Sequence, residues 1–75
     1  MERKLILQMP LSQREDEIFM HLMNRKRSKD IAEMLGISRH TVDTHRRRIL
    51  KKTHCRNTSA LLALYLEEKD KGRWA

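Results

Sequence analysis

A single cysteine, Cys55, stands among the 75 residues, so the chain can form no internal disulfide, and a reducing compartment is the default for such a sequence. Glycine and proline are almost as scarce: between Leu11 and Glu68 the sole glycine is Gly36, and Pro10 is the one proline. Folds built from many short strands need turn residues at close intervals, so this scarcity argues against a sandwich or barrel and for helices. Phe19, Tyr65 and Trp74 are the only aromatic residues, too few for the stacked-ring platforms that hold single-stranded nucleic acid. No apolar run approaches the ~18–20 residues that span a bilayer. The apolar stretch ahead of Pro10 is also too short for a secretory signal, which points to the cytoplasm. A chain of this size buries only about 60% of the surface its unfolded form exposes. It therefore has a thin core and no sheltered pocket. With no nucleophile set beside a base and oxyanion donors, no enzyme activity is expected.

Four histidines, His21, His40, His45 and His54, show no pair spaced to share a helix face, and Cys55 has no partner motif. No metal site and no cofactor are expected. Cys55 reads as a small buried hydrophobe, and Met9, Met20, Met23 and Met34 as fillers of irregular gaps.

Positive charge is what the sequence has in excess. The net charge is +7, and Arg46, Arg47, Arg48, Lys51, Lys52 and Arg56 crowd into eleven residues, while acidic residues gather at 15–17 and 67–70. A field segregated in this way is a docking face for a polyanion, either nucleic acid or an anionic membrane surface.

The apolar spacing predicts four helices. Residues 1–10 form an arm or linker stub, 11–69 the folded domain and 70–75 a charged tail. Ser12 and Glu15 make a capping box for a first helix from Gln13 to about Asn24, with Ile18, Phe19 and Leu22 as its apolar stripe. Asn24 to Arg27 breaks the pattern as a link, with Asn24 suited to a left-handed turn. A second helix follows from about Ser28, with Asp30 favourable in its first turn and Ile31, Ala32 and Leu35 facing inward. Gly36 ends it. Ser38 caps a third helix that runs to about Thr53, turning Val42, His45, Ile49 and Thr53 to one side. His40, Asp43, Thr44, Arg47 and Lys51 share the other, polar side, and Arg46 packs its stem at the boundary. A fourth helix spans about Ser59 to Lys69 and is apolar nearly all round. Leu62, Tyr65 and Leu66 are expected in the core, leaving Ala60, Leu61 and Leu64 for a second subunit.

The span from Ile31 to Val42 meets the demands of a helix-turn-helix. Ala32 is the small residue that lets two helices approach, Gly36 supplies the turn, Ile37 plugs it and Val42 anchors the second helix. Ser38 caps that helix with its N-terminus outward, where free amides hold a phosphate. Leu11-Ser12-Gln13-Arg14-Glu15, Lys29-Asp30-Ile31-Ala32, the run from Ile37 to His45, Ile49 and Lys52 together resemble the LuxR-type (GerE-type) helix-turn-helix domain over about residues 11–66. The resemblance implies an all-α, four-helix domain that binds double-stranded DNA to regulate transcription in the bacterial nucleoid, usually as a homodimer through its last helix, with RNA polymerase a further candidate partner. It implies base contacts from Asp43, Thr44 and Arg47, and backbone contacts from Lys29, Ser38, Thr41, His45 and Lys51. The chain departs from the family at Arg25, where glycine is usual, at Arg27, where a capping Ser or Thr is common, and at Thr53, where leucine is usual. The usual arginine is also absent around Asn57 to Ser59.

Groove chemistry adds Arg39, His40 and Arg48 to the phosphate-binding set and gives Arg47 the geometry for guanine O6 and N7. Asp43 either accepts from a cytosine amine or orients Arg39 or Arg47. Two other functions share these features. One is a promoter-reading module of the sigma-factor kind, which the run from Thr41 to Ile49 fits less well. The other is a basic adaptor for RNA or protein, which the shortage of aromatic residues disfavours. Met1 and the short length suit a stand-alone protein, and the same residues suit the output domain of a longer chain.

Overall fold

The computed structural model describes residues 10–70; residues 1–9 with Met9, and the tail 71–75 with Trp74, lie outside the described residues. Four helices follow one another: α1 (Gln13–Met23), α2 (Ser28–Leu35), α3 (Arg39–Lys52) and α4 (Thr58–Asp70). Strands are absent among the described residues.

Each start is set by local chemistry. At α1 the Ser12 hydroxyl accepts from the Glu15 amide at 3.1 Å while a Glu15 oxygen accepts from the Ser12 amide at 2.9 Å, the reciprocal box that satisfies two orphan donors. At α2 the chain enters through Arg27, whose side chain cannot accept a hydrogen bond. Asp30 supplies the cap alone, its Oδ2 accepting from both the amide and Nε of Arg27 at 3.3 Å. At α3 the Ser38 hydroxyl accepts from the Thr41 amide at 3.0 Å.

The three ends that lead into turns share one device, a residue in the left-handed region just past the helix. Gly36 has φ +66°, Arg25 +62° and His54 +57°. At α1 the amides of Arg25 and Lys26 fold back onto the carbonyls of Leu22 and His21, and at α3 those of His54 and Cys55 onto Lys51 and Leu50. These are the paired 5→2 and 6→1 bonds of a Schellman end. Asn24, expected to take the left-handed turn, has φ −87° instead. The link keeps its shape with Arg25 in the strained position.

Ile18, Phe19, Leu22 and Met23 of α1, Ile31 and Ala32 of α2, Val42 and Ile49 of α3 and Leu61 of α4 make one core. Phe19 and Tyr65 meet edge to face, ring centroids 5.8 Å apart. Thr53, fully buried, bonds its hydroxyl to the Ile49 carbonyl at 2.8 Å, so the core tolerates it where an aliphatic residue is usual. Leu35, Ile37 and Cys55 pack half-buried against this core. Met23 fills a gap there, whereas Met20 and Met34 are 42% and 55% exposed and fill none.

Helix α4 is rotated from the expected setting. Leu61, assigned to a second subunit, is completely buried within the chain, and Leu66, assigned to the core, is 43% exposed. Leu64 is half-buried against the core and Ala60 half-buried, while Ala63 is exposed. The cause lies in the composition. With Ala60, Leu61, Leu62, Ala63, Leu64, Tyr65 and Leu66 in succession there is no polar–apolar contrast to fix which side turns inward.

Candidate nucleic-acid interface

The side of α3 opposite Val42 and Ile49 is the exposed one. His40, Arg47, Arg48 and Lys51 are exposed, Thr44 and Asp43 half-exposed, and Ser38 and Arg39 stand in the open at the helix start. Arg39, His40, Arg47, Arg48 and Lys51 engage in no ion pair among the described residues. On α2, Lys29 is exposed in the first turn. Lys29, Ser38, Arg39, His40, Arg47, Arg48 and Lys51 are thus all open to solvent, whereas His45, expected among the phosphate contacts, is half-buried on the side of Val42 and Ile49.

Hydrogen bonds orient several of these groups. Ser38 Oγ and Thr41 Oγ1 lie 2.8 Å apart, and the Thr41 hydroxyl is thereby held at the mouth of α3. Thr44 donates its hydroxyl to the His40 carbonyl at 3.0 Å. Its proton is used inside the helix, so what Thr44 offers outward is a methyl group and hydroxyl lone pairs. His45 is half-buried with Nδ1 enclosed and without a hydrogen-bond partner among the described residues.

The clustered cations of the sequence divide into two groups. Arg46 and Lys52 belong to the scaffold: Arg46 Nη2 lies 3.4 Å from Asp43 Oδ1 and Nη1 3.5 Å from Thr58 Oγ1. Lys52 Nζ donates to Glu15 Oε1 at 2.7 Å and to the Pro10 carbonyl at 3.1 Å. Arg47, Arg48, Lys51 and Arg56 remain exposed. Charge density along the sequence cannot make this distinction, because the acidic partner of Lys52 is 37 residues away.

Asp43 hydrogen-bonds to neither Arg39 nor Arg47. Its Oδ1 accepts from Ser28 Oγ at 2.7 Å, across the turn, and from Arg46 rather than from Arg39 or Arg47. The Ser28 hydrogen bond holds the carboxyl below its ordinary pKa. Burial opposes this, and the charges of Arg46 and Arg39 reinforce it. No spacing or residue type signals the Ser28 partnership, which exists only once the turn brings the two helix starts together.

Beside this face lies an open cleft of about 420 Å³ lined by Lys26, Arg27, Lys29, Arg39 and Arg46, with Asp43 the only acid. Lys26 and Arg27, read from the sequence as mere linker, therefore extend the cationic surface from α3 toward the α1–α2 link. The described residues contain no helix long and apolar enough to cross a membrane and no group of three His, Cys, Asp or Glu side chains placed to hold a metal.

Residues 9–65 match the family described as bacterial regulatory proteins, luxR family. Over 61 residues the chain is 43% identical to the transcriptional regulatory protein TdiR of Thauera aromatica, covering 81% of this chain and 27% of that protein. Over 42 residues it is 48% identical to the uncharacterized response regulatory protein YgeK of Escherichia coli (strain K12), covering 56% of this chain and 29% of that one. The chain thus spans less than a third of either relative's length. With its four helices, its turn at Gly36 and its cationic third helix, the chain belongs to the luxR family of bacterial regulatory proteins and carries that family's DNA-binding helix-turn-helix domain.

Proposed function

We propose that the chain reads specific duplex DNA to regulate transcription, with α3 in the major groove, Arg47 and Thr44 toward base edges, and a second copy bound through α4. The observation that carries this reading is the division of α3: Val42 and Ile49 are completely buried while Arg47 and Lys51 stand exposed on the opposite side. A helix presented in this way fits a groove about 12 Å wide. Arg47 has the fork for guanine O6 and N7, and the outward methyl of Thr44 suits a thymine methyl. Lys29, Arg39, Arg48 and Lys51, the hydroxyls of Ser38 and Thr41, and the imidazoles of His40 and His45 fix register on the phosphates. The amides of Arg39 and His40 precede the first intrahelical bond and add two donors at the positive end of α3. The role is one of binding, without catalysis, in the cytoplasm at the nucleoid. RNA polymerase is a candidate contact of the bound regulator.

Selection from a randomised duplex library followed by affinity measurement over a salt series tests this. A defined site is expected, with log affinity falling against log salt at a slope near −7 if a dimer neutralises on the order of eight phosphates. Equal affinity for every duplex overturns the reading.

A further inference from the structure

We infer that Asp43 is a positioning residue that sets the roll of the third helix by joining it to the second and fourth, and does not read a base. The inference rests on α3 being the groove helix. Two helices, α2 and α3, meet at one carboxylate oxygen, and α4 is reached from it only through Arg46. Ser28, in the first turn of α2, donates to Asp43 Oδ1 at 2.7 Å, Arg46 donates to the same oxygen at 3.4 Å, and Arg46 reaches on to Thr58, the first residue of α4, at 3.5 Å. The Ser28 bond has the short distance of a hydroxyl on an ionised acceptor and is the strongest link in the chain. The two Arg46 contacts are long and serve to complete the path to α4.

Position decides what this clamp controls. Arg47 is four residues beyond Asp43 and lies directly above it on the same side of α3. A small change in the roll of α3 at Asp43 is therefore passed undiminished to the Arg47 guanidinium. A carboxylate turned toward phosphates would be repelled by them. Held against Ser28 and Arg46, it spends its charge inside the protein, and the cationic face presented to a polyanion stays intact.

The test compares Asp43→Ala, Asp43→Asn and Ser28→Ala with the wild-type chain by selection from a randomised duplex library. A positioning role predicts that Asp43→Ala and Ser28→Ala weaken discrimination at the same base pair, the one lost in Arg47→Ala. The expected loss is about two- to tenfold each, the lower part of the range of coupling between contacting residues. The double variant should be no worse than either single one. Asp43→Asn keeps an oxygen for Ser28 and should retain the wild-type preference. Loss of preference in Asp43→Ala at a base pair that Ser28→Ala leaves untouched means that Asp43 meets the base, and overturns the inference. In the free protein, the Asp43 carboxyl followed by NMR should titrate closer to its ordinary value of 3.8 in Ser28→Ala than in wild type. An unchanged titration removes the clamp whatever the DNA results. A wild-type chain without any sequence preference instead defeats the groove reading itself, so the two failures are distinguishable.

Discussion

Lys52 Nζ lies 2.7 Å from Oε1 of Glu15, joining the last turn of α3 to the first turn of α1. The same Glu15 carboxylate closes the capping box with Ser12, so one side chain both starts a helix and anchors the far end of the recognition helix. Burial pushes the Glu15 carboxyl up, but the hydrogen bonds from Lys52 and Ser12 and the Lys52 charge outweigh it, and the net pKa is lowered. A carboxyl with a lowered folded-state pKa stabilises the fold fully above its unfolded value, here 4.5, and loses that contribution as pH falls through the folded value. Denaturant midpoints for the wild type and Glu15→Gln, taken at several pH values between neutrality and pH ~3, check this. The variant should be less stable by about 1–2 kcal/mol at neutral pH, and the gap should close on acidification. A gap of constant size removes the ion pair as its cause.

The left-handed ends of α1 and α3 predict stabilising substitutions. Arg25 and His54 adopt φ +62° and +57°, where a Cβ meets the following carbonyl oxygen. Arg25→Gly and His54→Gly should each raise stability by about 1 kcal/mol, or about 4–8 °C in Tm for a domain of this size. Gly36→Ala tests the converse. A Cβ there meets nothing within 4 Å, so any loss is backbone strain alone, and about 1–2 kcal/mol is expected. Thermal unfolding of the three variants measures it, and an Arg25→Gly protein no more stable than wild type would sink the argument from strain.

Arg47 and Lys51, one turn apart on the exposed side of α3, are expected to differ in what their loss does. Arg47→Ala should relax preference at one base pair, at a cost of about 1–3 kcal/mol for the favoured site. Lys51→Ala should weaken all duplexes alike and reduce the salt slope by about 1. Unchanged site preference in Arg47→Ala would mean that α3 meets the duplex with another face.

What was legible in the sequence followed from contrast. Helices α1 and α3 alternate apolar and polar residues at helical spacing, so Ile18, Phe19, Leu22, Val42 and Ile49 fall in the core where the wheel puts them. Ser12, Ser38 and Gly36 announce their turns by residue type. Arg25 and His54 do not, since neither side chain advertises a left-handed backbone; only the tertiary fold imposes it. The Ser28–Asp43 and Glu15–Lys52 pairs, 15 and 37 residues apart, were equally invisible, because each exists only after two helices have docked. Helical spacing sets the Arg46 stem against the packed side of α3, but it gives no sign that Arg46 reaches Thr58 or that Lys52 reaches Glu15 and Pro10.

The rotation of α4 changes which of its residues would be open to the proposed second copy. Leu61 is wholly buried against the domain's own core, and Leu64 packs half-buried on it. Leu66, 43% exposed, and the exposed Ala63 lie on the outer side. A charged side chain at the first pair attacks the fold, whereas at Leu66 it meets only what docks from outside. Leu66→Arg should keep the Tm within a few degrees of wild type and abolish cooperative binding to paired half-sites, leaving affinity for a single half-site intact. Leu61→Arg should unfold the domain. Sedimentation with and without a two-half-site duplex, alongside thermal unfolding, separates these outcomes. Full cooperativity in Leu66→Arg would move the contact between copies away from the outer side of α4.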